Sequence, residues 1–455
     1  MYMTGIKSMK TKVYTLLILI TFLLVSCGNP VKKKFSDADI ELTIWETYNQ
    51  EEHAVFIDIA KRFEKIFQKK FNKSLFLNIQ RVPFADMVTN IKIAAQTLTT
   101  PDIARIEIMR VVDLAYGKSI YPLDLLKNFG NQSIDDMRKE FVPAAFDSNV
   151  IEIKNKEKKW EKHLYGLPEQ TTCVALYWNK KMFMDKAKEL KAANLDPARA
   201  PKTWDEFRKY GKILTDKNKK IFAYGMSNGL WWTCPEFNTY GAKFIEKSSD
   251  GKLKCVLDNP EAIAAYQMKV DFYRKDGIEA GAWQSGAISP EQGFINYNYA
   301  MILSGPWRYQ TFKNAGIPFG IALIPAGPEG TSTNVGGNNY VVMKTCKTPE
   351  HAYEFLKYIA SDVIQKEWCT RLGQIPVKLA VIDKLNFEDT PELKTFIEQI
   401  KYAKAIPPIP RYGIIENDCV NPELDAALSG AKTVPQSLKD AAKKVNEQVL
   451  KLVNE

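Results

Sequence analysis

Carboxylates are the residues of this sequence that come nearest to a catalytic arrangement. Glu107 lies at the end of a predicted strand, and Glu169 lies in the segment Tyr165-Gly-Leu-Pro-Glu169, which opens another unit. Two carboxylates on opposite sides of a glycosidic bond can hydrolyse it, one as the acid and the other as base or nucleophile. We therefore keep Glu107 with Glu169 as the one candidate pair for a glycoside hydrolase.

The other common catalytic and metal-binding patterns are missing from the sequence. His53, His163 and His351 are far apart and lie beside no cluster of cysteines or acids, so we expect them at the surface. There is no HExxH zinc motif and no GxxxxGK[ST] phosphate loop. The sequence predicts neither a metal nor a cofactor.

Aromatic residues are abundant, with 9 Trp, 20 Tyr and 23 Phe. Several follow predicted strands, at Trp45, Trp231-Trp232, Trp307 to Tyr309 and Tyr412. Aromatic rings beside polar side chains suit the apolar faces and the hydroxyls of a sugar. The alternative is that each ring is ordinary core packing. The pattern as a whole favours a carbohydrate site.

The N-terminus has the features of an export signal. Lys7, Lys10 and Lys12 precede an apolar run, and the run ends at Ser26-Cys27. A basic segment and a short apolar segment are typical of a signal peptide over residues 1–26. The sequence around Cys27 resembles the bacterial lipobox, which predicts that Cys27 carries a lipid anchor. Residues 27–39 are then a tether.

The formal net charge of +10 is spread along the chain. The basic residues belong to amphipathic helices, so we interpret them as solvated faces and do not expect nucleic-acid binding. Besides Cys27 there are six scattered cysteines and no CxxC pair. Three disulfides and six buried thiols both remain open.

The pattern of apolar residues predicts an α/β protein with two lobes. A strand from Ile40 to Trp45, a helix over Glu51–Phe71 and a strand over Leu75–Val82 form a βαβ unit. Thr203 and Glu206 have the spacing of a capping box at a helix start. About 430 residues after the signal are too many for one core and suit two.

Several motifs, taken in order, resemble the extracellular solute-binding proteins of ABC importers, in the group that includes maltose-binding protein. The resemblance covers nearly the whole chain after Cys27. The motifs are Leu42-Thr-Ile-Trp45, Thr99-Thr-Pro-Asp-Ile103, Tyr165-Gly-Leu-Pro168, Leu176-Tyr-Trp-Asn-Lys180, Pro201-Lys-Thr-Trp-Asp-Glu-Phe207, Ala300-Met-Ile-Leu-Ser-Gly-Pro-Trp307 and Leu372-Gly-Gln-Ile-Pro376.

The resemblance implies a two-lobed periplasmic-binding-protein fold of type II, with mostly parallel sheets flanked by helices and a ligand cleft at a hinge of several segments. Residues 40–170 with about 340–388 would form the N-terminal lobe, and residues 171–339 with about 389–455 the C-terminal lobe. Transferred residue by residue, the cleft would contain Trp45, Glu46, Tyr48, Glu107, Met109, Arg110, Glu169, Gln170, Thr171, Trp231, Trp232, Trp307, Arg308, Tyr309, Gly337, Asn338, Asn339, Arg411 and Tyr412.

One departure bears on the ligand. Maltose-binding protein has an adjacent Asp-Arg pair where this chain has Met109-Arg110. Arg110 and Arg411 therefore also suit a phosphorylated polyol, such as glycerol 3-phosphate or its diesters. Structural roles stay open too: the alternatives are that Glu107 pairs with Arg105 and that Arg411 covers a helix C-terminus.

The expected function is reversible capture of a sugar or oligosaccharide and its delivery to the transmembrane subunits of an ABC importer, without catalysis. The protein would be a monomer, attached by lipid to a membrane and facing the periplasm or the cell exterior. The competing hypotheses are the phosphorylated-polyol binding protein, the lipid-anchored glycoside hydrolase and a surface adhesin that has reused the fold.

Overall fold

The computed structural model describes residues 35–454, apart from 155, 156, 158, 250, 251, 387, 389, 390 and 407. The predicted signal peptide, Cys27 and most of the tether lie outside the described residues. The end of the tether is bonded to the body, since the Asp39 backbone N–H donates to Ser74 Oγ at 2.9 Å.

The strands are β1 (Ile40–Glu46), β2 (Leu75–Arg81), β3 (Ile103–Glu107), β4 (Val150–Lys154), β5 (Trp160–Leu164), β6 (Leu167–Thr172), β7 (Ala175–Asn179), β8 (Phe222–Gly225), β9 (Ile245–Lys247), β10 (Leu253–Cys255), β11 (Tyr299–Ser304), β12 (Phe319–Ala322), β13 (Thr333–Asn334), β14 (Gly336–Val342) and β15 (Ala403–Lys404).

The helices are α1 (Gln50–Phe71), α2 (Met87–Gln96), α3 (Val111–Tyr116), α4 (Ile134–Arg138), α5 (Pro143–Asp147), α6 (Lys180–Asp185), α7 (Ala187–Ala192), α8 (Trp204–Leu214), α9 (Leu230–Thr239), α10 (Pro260–Arg274), α11 (Pro290–Ile295), α12 (Tyr309–Asn314), α13 (Pro349–Ile359), α14 (Asp362–Leu372), α15 (Leu379–Ile382), α16 (Pro391–Ile400), α17 (Tyr412–Ile414), α18 (Asn421–Ser429), α19 (Val434–Val445) and α20 (Lys451–Asn454). A π-helical segment, Ile415–Val420, joins α17 to α18.

The first lobe is built on a five-stranded sheet in the order β2-β1-β3-β14-β6. Strands β2, β1 and β3 are parallel, as the βαβ pattern predicts, whereas β14 is antiparallel to both of its neighbours. The sheet is therefore mixed, because β14, which returns from the second lobe, runs against the other four strands. Helix α1 begins with a capping box between Asn49 and Glu52 and buries Phe56, Ile59 and Phe63.

The second lobe is built on a four-stranded sheet in the order β12-β7-β11-β8. The pair β11–β8 is parallel and the two pairs formed by β7 are antiparallel, so β7 runs against the other three strands. Helix α8 begins where predicted, with Thr203 accepting from the backbone N–H of Glu206. The Glu206 carboxylate bonds Arg199 and the Lys202 backbone N–H, so the predicted reciprocal half of the capping box is replaced.

The chain crosses between the two sheets in three places. The first crossing joins β6 to β7 through Cys173, and the second joins β12 to β14. The third lies between α15 and α16, since Phe396 of α16 packs against Tyr177 of the second sheet. The predicted lobe boundary near residue 340 falls inside β14, which pairs along the first sheet from Gly336 onward.

The remaining cysteines are all free and buried, which decides between the two alternatives in favour of thiols. The histidines differ from the prediction, because they are half-buried and in contact with partners. His53 Nδ1 lies 2.6 Å from Glu46, His163 Nδ1 lies 2.7 Å from Asp124, and the His351 ring packs against Phe67.

The close approach of β6 and β14 at the hinge requires a glycine at position 337. Its φ is +142°, and a Cβ there would lie 2.2 Å from the Gln170 carbonyl oxygen. We expect Gly337→Ala to reduce the free energy of unfolding by about 2–4 kcal/mol, because strain and overlap add. Urea denaturation measures the change.

Gly316→Ala is the matched control for this substitution. Gly316 also has a positive φ, +68°, but no heavy atom lies within 4 Å of the added Cβ. This variant should lose only about 1 kcal/mol. Equal losses in the two variants would mean that the β6–β14 contact is not the constraint.

Candidate functional site

A cavity of about 640 Å³ lies between the lobes. Its first-lobe wall comes from the loop after β1, from the segment of α2 and from the residues after β3. Its second-lobe wall is the helical turn that begins at Arg411. The lining residues are Thr47, Phe84, Ala85, Met87, Val88, Thr89, Lys92, Arg105, Glu107, Arg110, Asp113, Arg411, Gly413, Ile414, Asn417 and Asp418.

Arg110 joins the two walls of this cavity. Its Nη2 donates to Glu416 Oε2 on the second lobe at 2.9 Å, and its Nε lies 3.6 Å from Glu107 Oε2 on the first lobe. The guanidinium also lies over the Tyr412 ring, 5.4 Å from its centroid. A cation held by two carboxylates and an aromatic face is fixed in position, and its remaining N–H groups suit a polar ligand.

The carboxyl of Glu107 is unusually basic. Burial and, to a smaller extent, the nearby Glu416 raise its pKa to about 7 against the opposing effect of Arg110. Burial also raises the pKa of Glu416, against Arg110 and a hydrogen bond from the Trp231 backbone N–H. Near neutral pH Glu107 therefore exists in both protonation states, so it can donate or accept a hydrogen bond.

Three tryptophans of the second lobe are packed together next to this ion pair. The rings of Trp231 and Trp232 are perpendicular with centroids 4.9 Å apart, and Trp307 lies 6.3 Å from each. All three are half-buried. They do not line the cavity itself. The first lobe contacts this cluster through Asn49 Nδ2, which donates to the Trp307 carbonyl oxygen at 3.0 Å.

A buried ion pair holds the tryptophan pair in place. Lys269 of α10 and Glu236 of α9 are both essentially inaccessible, with Nζ and Oε1 3.6 Å apart. Lys269 Nζ also donates to Thr233 Oγ1 at 3.0 Å and to the Trp232 carbonyl oxygen at 3.4 Å. This fixes the first turn of α9, which carries Trp231 and Trp232, against the lobe core.

Several buried polar atoms at the boundary between the lobes have no hydrogen-bond partner among the described residues. They are Trp231 Nε1, Tyr412 Oη, Thr171 Oγ1 and Asn338 Oδ1. Buried polar groups are normally paired, because an unpaired one costs roughly 1–3 kcal/mol. Donors and acceptors of this kind beside aromatic rings are suited to the hydroxyl groups of a ligand.

The hinge residues Glu169 and Gln170 bond to the protein itself. Glu169 Oε2 accepts from Arg105 Nε at 2.9 Å, and Gln170 accepts from the same guanidinium. Gln170 Nε2 in turn donates to Gln374 Oε1 at 2.5 Å, and Gln374 donates to Glu52. The alternative pairing of Glu107 with Arg105 is therefore wrong, because Arg105 pairs with Glu169 and Glu107 pairs with Arg110.

Some residues assigned to the cleft by resemblance lie elsewhere. Trp45 donates to Gln80 on the sheet surface, Glu46 bonds His53 and the Tyr48 backbone N–H, and Asn339 donates to Ser148. Tyr48 and Tyr309 pack within the lobes. Met109 joins the second-lobe core, Arg308 lies 3.9 Å from Glu291, and Gly337 has the backbone role described above. Thr47, between Glu46 and Tyr48, and Arg110, next to Met109, line the cavity.

The sequence reasoning missed Glu416 and Asp113. Asp113 Oδ1 accepts from the Arg411 backbone N–H at 2.5 Å, a second bond between the lobes. For both residues, helical spacing from a predicted site residue could have indicated a position in the site. Glu416 follows the predicted Tyr412 by four residues, and Asp113 follows the predicted Arg110 by three, so each shares a helix face with a predicted residue.

A model of the bacterial extracellular solute-binding protein family matches residues 59–395. The chain belongs to this family. The fold has the two lobes of these proteins: the GacH receptor of Streptomyces glaucescens superimposes with a TM-score of 0.74 at 22% identity, over 90% of this chain and 98% of that one. A solute-binding protein of Thermotoga lettingae superimposes with a TM-score of 0.75 at 23% identity, over 90% and 100%.

Sequence relatives cover this solute-binding protein almost completely. The galactooligosaccharide-binding protein of Bacillus subtilis is 23% identical over 448 residues, 97% of each chain. A maltooligosaccharide ABC transporter solute-binding lipoprotein of Streptococcus pneumoniae is 23% identical over 451 residues, 96% of this chain and 97% of the relative. No helix among the described residues of this solute-binding protein is long and apolar enough to span a bilayer.

The geometry does not favour the two chemical alternatives. Glu169 is 2% exposed and bonded to Arg105, and it does not line the cavity, so a two-carboxylate hydrolase with Glu107 lacks its second member. A phosphate would require a cation whose charge is not already offset by neighbouring carboxylates. Arg110 is already bracketed by Glu107 and Glu416, so this arginine favours neutral polar groups, whereas Lys92 and Arg411 are further cations of the lining.

The raised pKa of Glu107 predicts a pH dependence. The folded value of about 7 exceeds the ordinary 4.5, so the folded state binds the proton more tightly. The free energy of unfolding should then fall as pH rises from 4.5 to 7. Glu107→Gln should weaken this fall and be more stable than the wild type by about 1–2 kcal/mol at pH 8, measured by urea denaturation.

Glu206→Gln is the control of opposite sign. Arg199 lowers the pKa of Glu206 to about 2, so its charge stabilises the fold above pH 4.5 and that stability is lost as pH falls towards 2. This variant should be less stable than the wild type at pH 8. A Glu107→Gln profile parallel to that of the wild type would contradict the assignment of Glu107.

Proposed function

We propose that this protein captures a neutral oligosaccharide between its lobes and delivers it to the transmembrane subunits of an ABC importer, acting as a monomer held to the membrane by lipid at Cys27. The observation that carries the proposal is the arrangement around Arg110. Three tryptophans, the Arg110–Glu416 pair and unpaired polar atoms meet where the two lobes join.

Each part of this arrangement matches a part of a sugar. A pyranose has apolar C–H faces, which suit the rings of Trp231, Trp232 and Trp307. Its hydroxyls both donate and accept hydrogen bonds, as Glu107, Arg110 and Glu416 require. The cavity of about 640 Å³ lies within the range of about 300–1,000 Å³ typical of small-molecule sites.

The relatives support the same ligand class. They are named for galactooligosaccharides and for maltooligosaccharides, and their match extends over the whole cleft. The GacH receptor was solved with acarbose. The position of the cleft between lobes joined by three crossings supports capture by domain closure, since rotation about the crossings would open and close it.

Lipid anchoring is proposed from the lipobox-like sequence at Cys27. The pneumococcal relative is itself a lipoprotein of an ABC transporter. A tethered binding protein has a high effective concentration at the importer, because its search is confined to the reach of the tether.

Ligand screening with Trp307→Ala tests the oligosaccharide assignment. We expect the purified domain without its lipid to be stabilised by about 2.7 kcal/mol by maltodextrins or galactosyl oligosaccharides at 100 times their dissociation constant, seen as a thermal shift. Trp307→Ala should weaken binding at least about tenfold, which corresponds to about 1.4 kcal/mol, through loss of the ring contact.

Trp283→Ala is the matched control for that variant. Trp283 is a half-buried tryptophan of the same lobe that packs against Tyr273, away from the cleft residues. It should leave the affinity unchanged. Stabilisation by glycerol 3-phosphate and by no saccharide would overturn the neutral-sugar assignment, and release of shorter sugars from the bound saccharide would overturn the binding role.

Replacement of Cys27 tests the anchor. Cys27→Ala should abolish metabolic labelling by palmitate and release the protein from the membrane fraction, because the acylated side chain is gone. Ser26→Ala, which keeps the cysteine and a small residue before it, is the control and should remain attached. Membrane attachment of Cys27→Ala would show that the anchor lies elsewhere.

A further inference from the structure

The cavity at Arg110 contains an aromatic ring that is absent from the residues predicted for the cleft. Phe84 lies on the first-lobe wall, in the 3-10 turn Phe84–Asp86 that connects β2 to α2. Among the described residues that line the cavity, Phe84 is the only aromatic one, since the tryptophans of the second lobe do not line it. The aromatic surface inside the cavity therefore comes from the first lobe.

The ring of Phe84 is exposed to an unusual degree for this protein. Phe84 is 55% exposed, and the only other exposed phenylalanine among the described residues is Phe35, at the end of the tether. Phe84 also belongs to none of the hydrophobic clusters that form the cores of the lobes. An exposed ring on a cavity wall loses water-exposed apolar area when a ligand covers it, so it favours binding.

The first-lobe wall around Phe84 is one side of a helix. The backbone stays helical from the 3-10 turn into α2, because Asp86 and Met87 both have right-handed helical angles. Phe84, Val88 and Lys92 follow one another at intervals of four residues and all line the cavity. On the neighbouring stripe Met87 and Ile91 are buried in the first lobe. These core contacts hold the helix so that the stripe of Phe84 stays at the cavity.

The opposite wall of the cavity provides polar groups for the edge of a sugar that lies on Phe84. On the second lobe Ile414, Asn417 and Asp418 line the cavity at helical spacing, and the last two are exposed. An amide both donates and accepts hydrogen bonds, and a carboxylate accepts them, as the hydroxyls of a pyranose require. A sugar ring between the two walls can thus place its C–H face on one and its hydroxyls against the other.

The charges beside this stripe do not call for an anionic ligand. Burial raises the pKa of Asp113 against a backbone hydrogen bond from Arg411 and the charges of Arg110, Lys92 and Arg411. The Asp113 carboxylate is thus close enough to Lys92 and Arg411 to offset part of their charge. Stacking on Phe84 depends on the apolar face of a sugar and not on these charges.

We infer that Phe84 stacks on a pyranose ring of the bound oligosaccharide and supplies the aromatic contact of the first lobe. The inference rests on the proposed function and deepens it, because it gives each lobe an aromatic surface of its own. A ligand that contacts rings on both lobes binds the closed arrangement more tightly than the open one, so it favours closure.

Substitutions at Phe84 test this contact by calorimetric titration with maltodextrins and galactosyl oligosaccharides from trimer to heptamer. Phe84→Ala should weaken binding about tenfold, equivalent to about 1.4 kcal/mol, because the ring contact is lost. Phe84→Trp should keep the wild-type affinity, since it retains an aromatic face. Phe84→Leu should lose most of the affinity that Phe84→Ala loses, because leucine is apolar but has no flat face. Equal affinities of Phe84→Leu and the wild type would overturn the stacking assignment.

Ile93→Ala is the matched control, because Ile93 is a 58% exposed apolar residue of the same helix that does not line the cavity. It should leave the affinity unchanged. Without ligand, Phe84→Ala and Ile93→Ala should both unfold at nearly the wild-type temperature, since neither side chain is part of a core. If Trp307→Ala weakens binding and Phe84→Ala does not, the Phe84 contact is refuted while the proposed function stands. If the wild type binds none of these saccharides, the proposed function fails and the contact with it.

Discussion

The buried guanidinium of Arg105 is the constraint on which the rest of the binding region depends. It lies on the central strand of the first sheet, where it donates to Glu169 and Gln170 of the first crossing and to Thr47 Oγ1 at 2.7 Å. Its plane also lies 4.1 Å from the centroid of the Tyr48 ring. A charge in this position would cost several kcal/mol without its partner, and removal of one member of such a pair is strongly destabilising. The contacts of Arg105 therefore hold together the loop after β1, the strand β3 and the first crossing. They also fix the position of Glu107, which lies two residues after Arg105 on the same strand.

The contacts between the lobes are of a different kind from this network. Arg110 with Glu416, Asp113 with the Arg411 backbone and Asn49 with the Trp307 carbonyl are polar, partly exposed and located at the cleft surface. Partly exposed ion pairs contribute little net stability, because water replaces them at small cost. A ligand that offers hydroxyls to the same groups can thus substitute for them. The domain closure proposed above would then exchange one set of modest interactions for another, whereas each lobe keeps its own buried core and buried ion pair.

The sequence predicted the fold well wherever local physics decides it. The βαβ unit, the start of α8 at Thr203 and the strand before Trp307 all follow from periodicity and capping. The sequence predicted the strand directions less well. The antiparallel direction of β14 depends on how the chain returns to the first sheet after it has formed most of the second lobe. Among site residues, Glu107, Arg110 and Arg411 line the cavity, whereas Trp45 and Asn339 point the other way. A strand turns alternate side chains to opposite faces, so an error of one position changes the face, and only the structure sets that register.

The buried pair of Lys269 and Glu236 positions the tryptophans of the second lobe. Lys269 and Glu236 are essentially inaccessible, and burial lowers the pKa of the amine and raises that of the carboxyl against their mutual attraction. Such a pair contributes less to stability than a well-packed apolar pair would. Its hydrogen bonds to Thr233 and to the Trp232 carbonyl instead fix the orientation of one helical turn. Without these bonds, burial in the core of the lobe would be the more favourable position for the apolar rings of Trp231 and Trp232. These backbone bonds hold the tryptophans where the lobes meet, so the polar interior of the second lobe positions the apolar face of the proposed binding site.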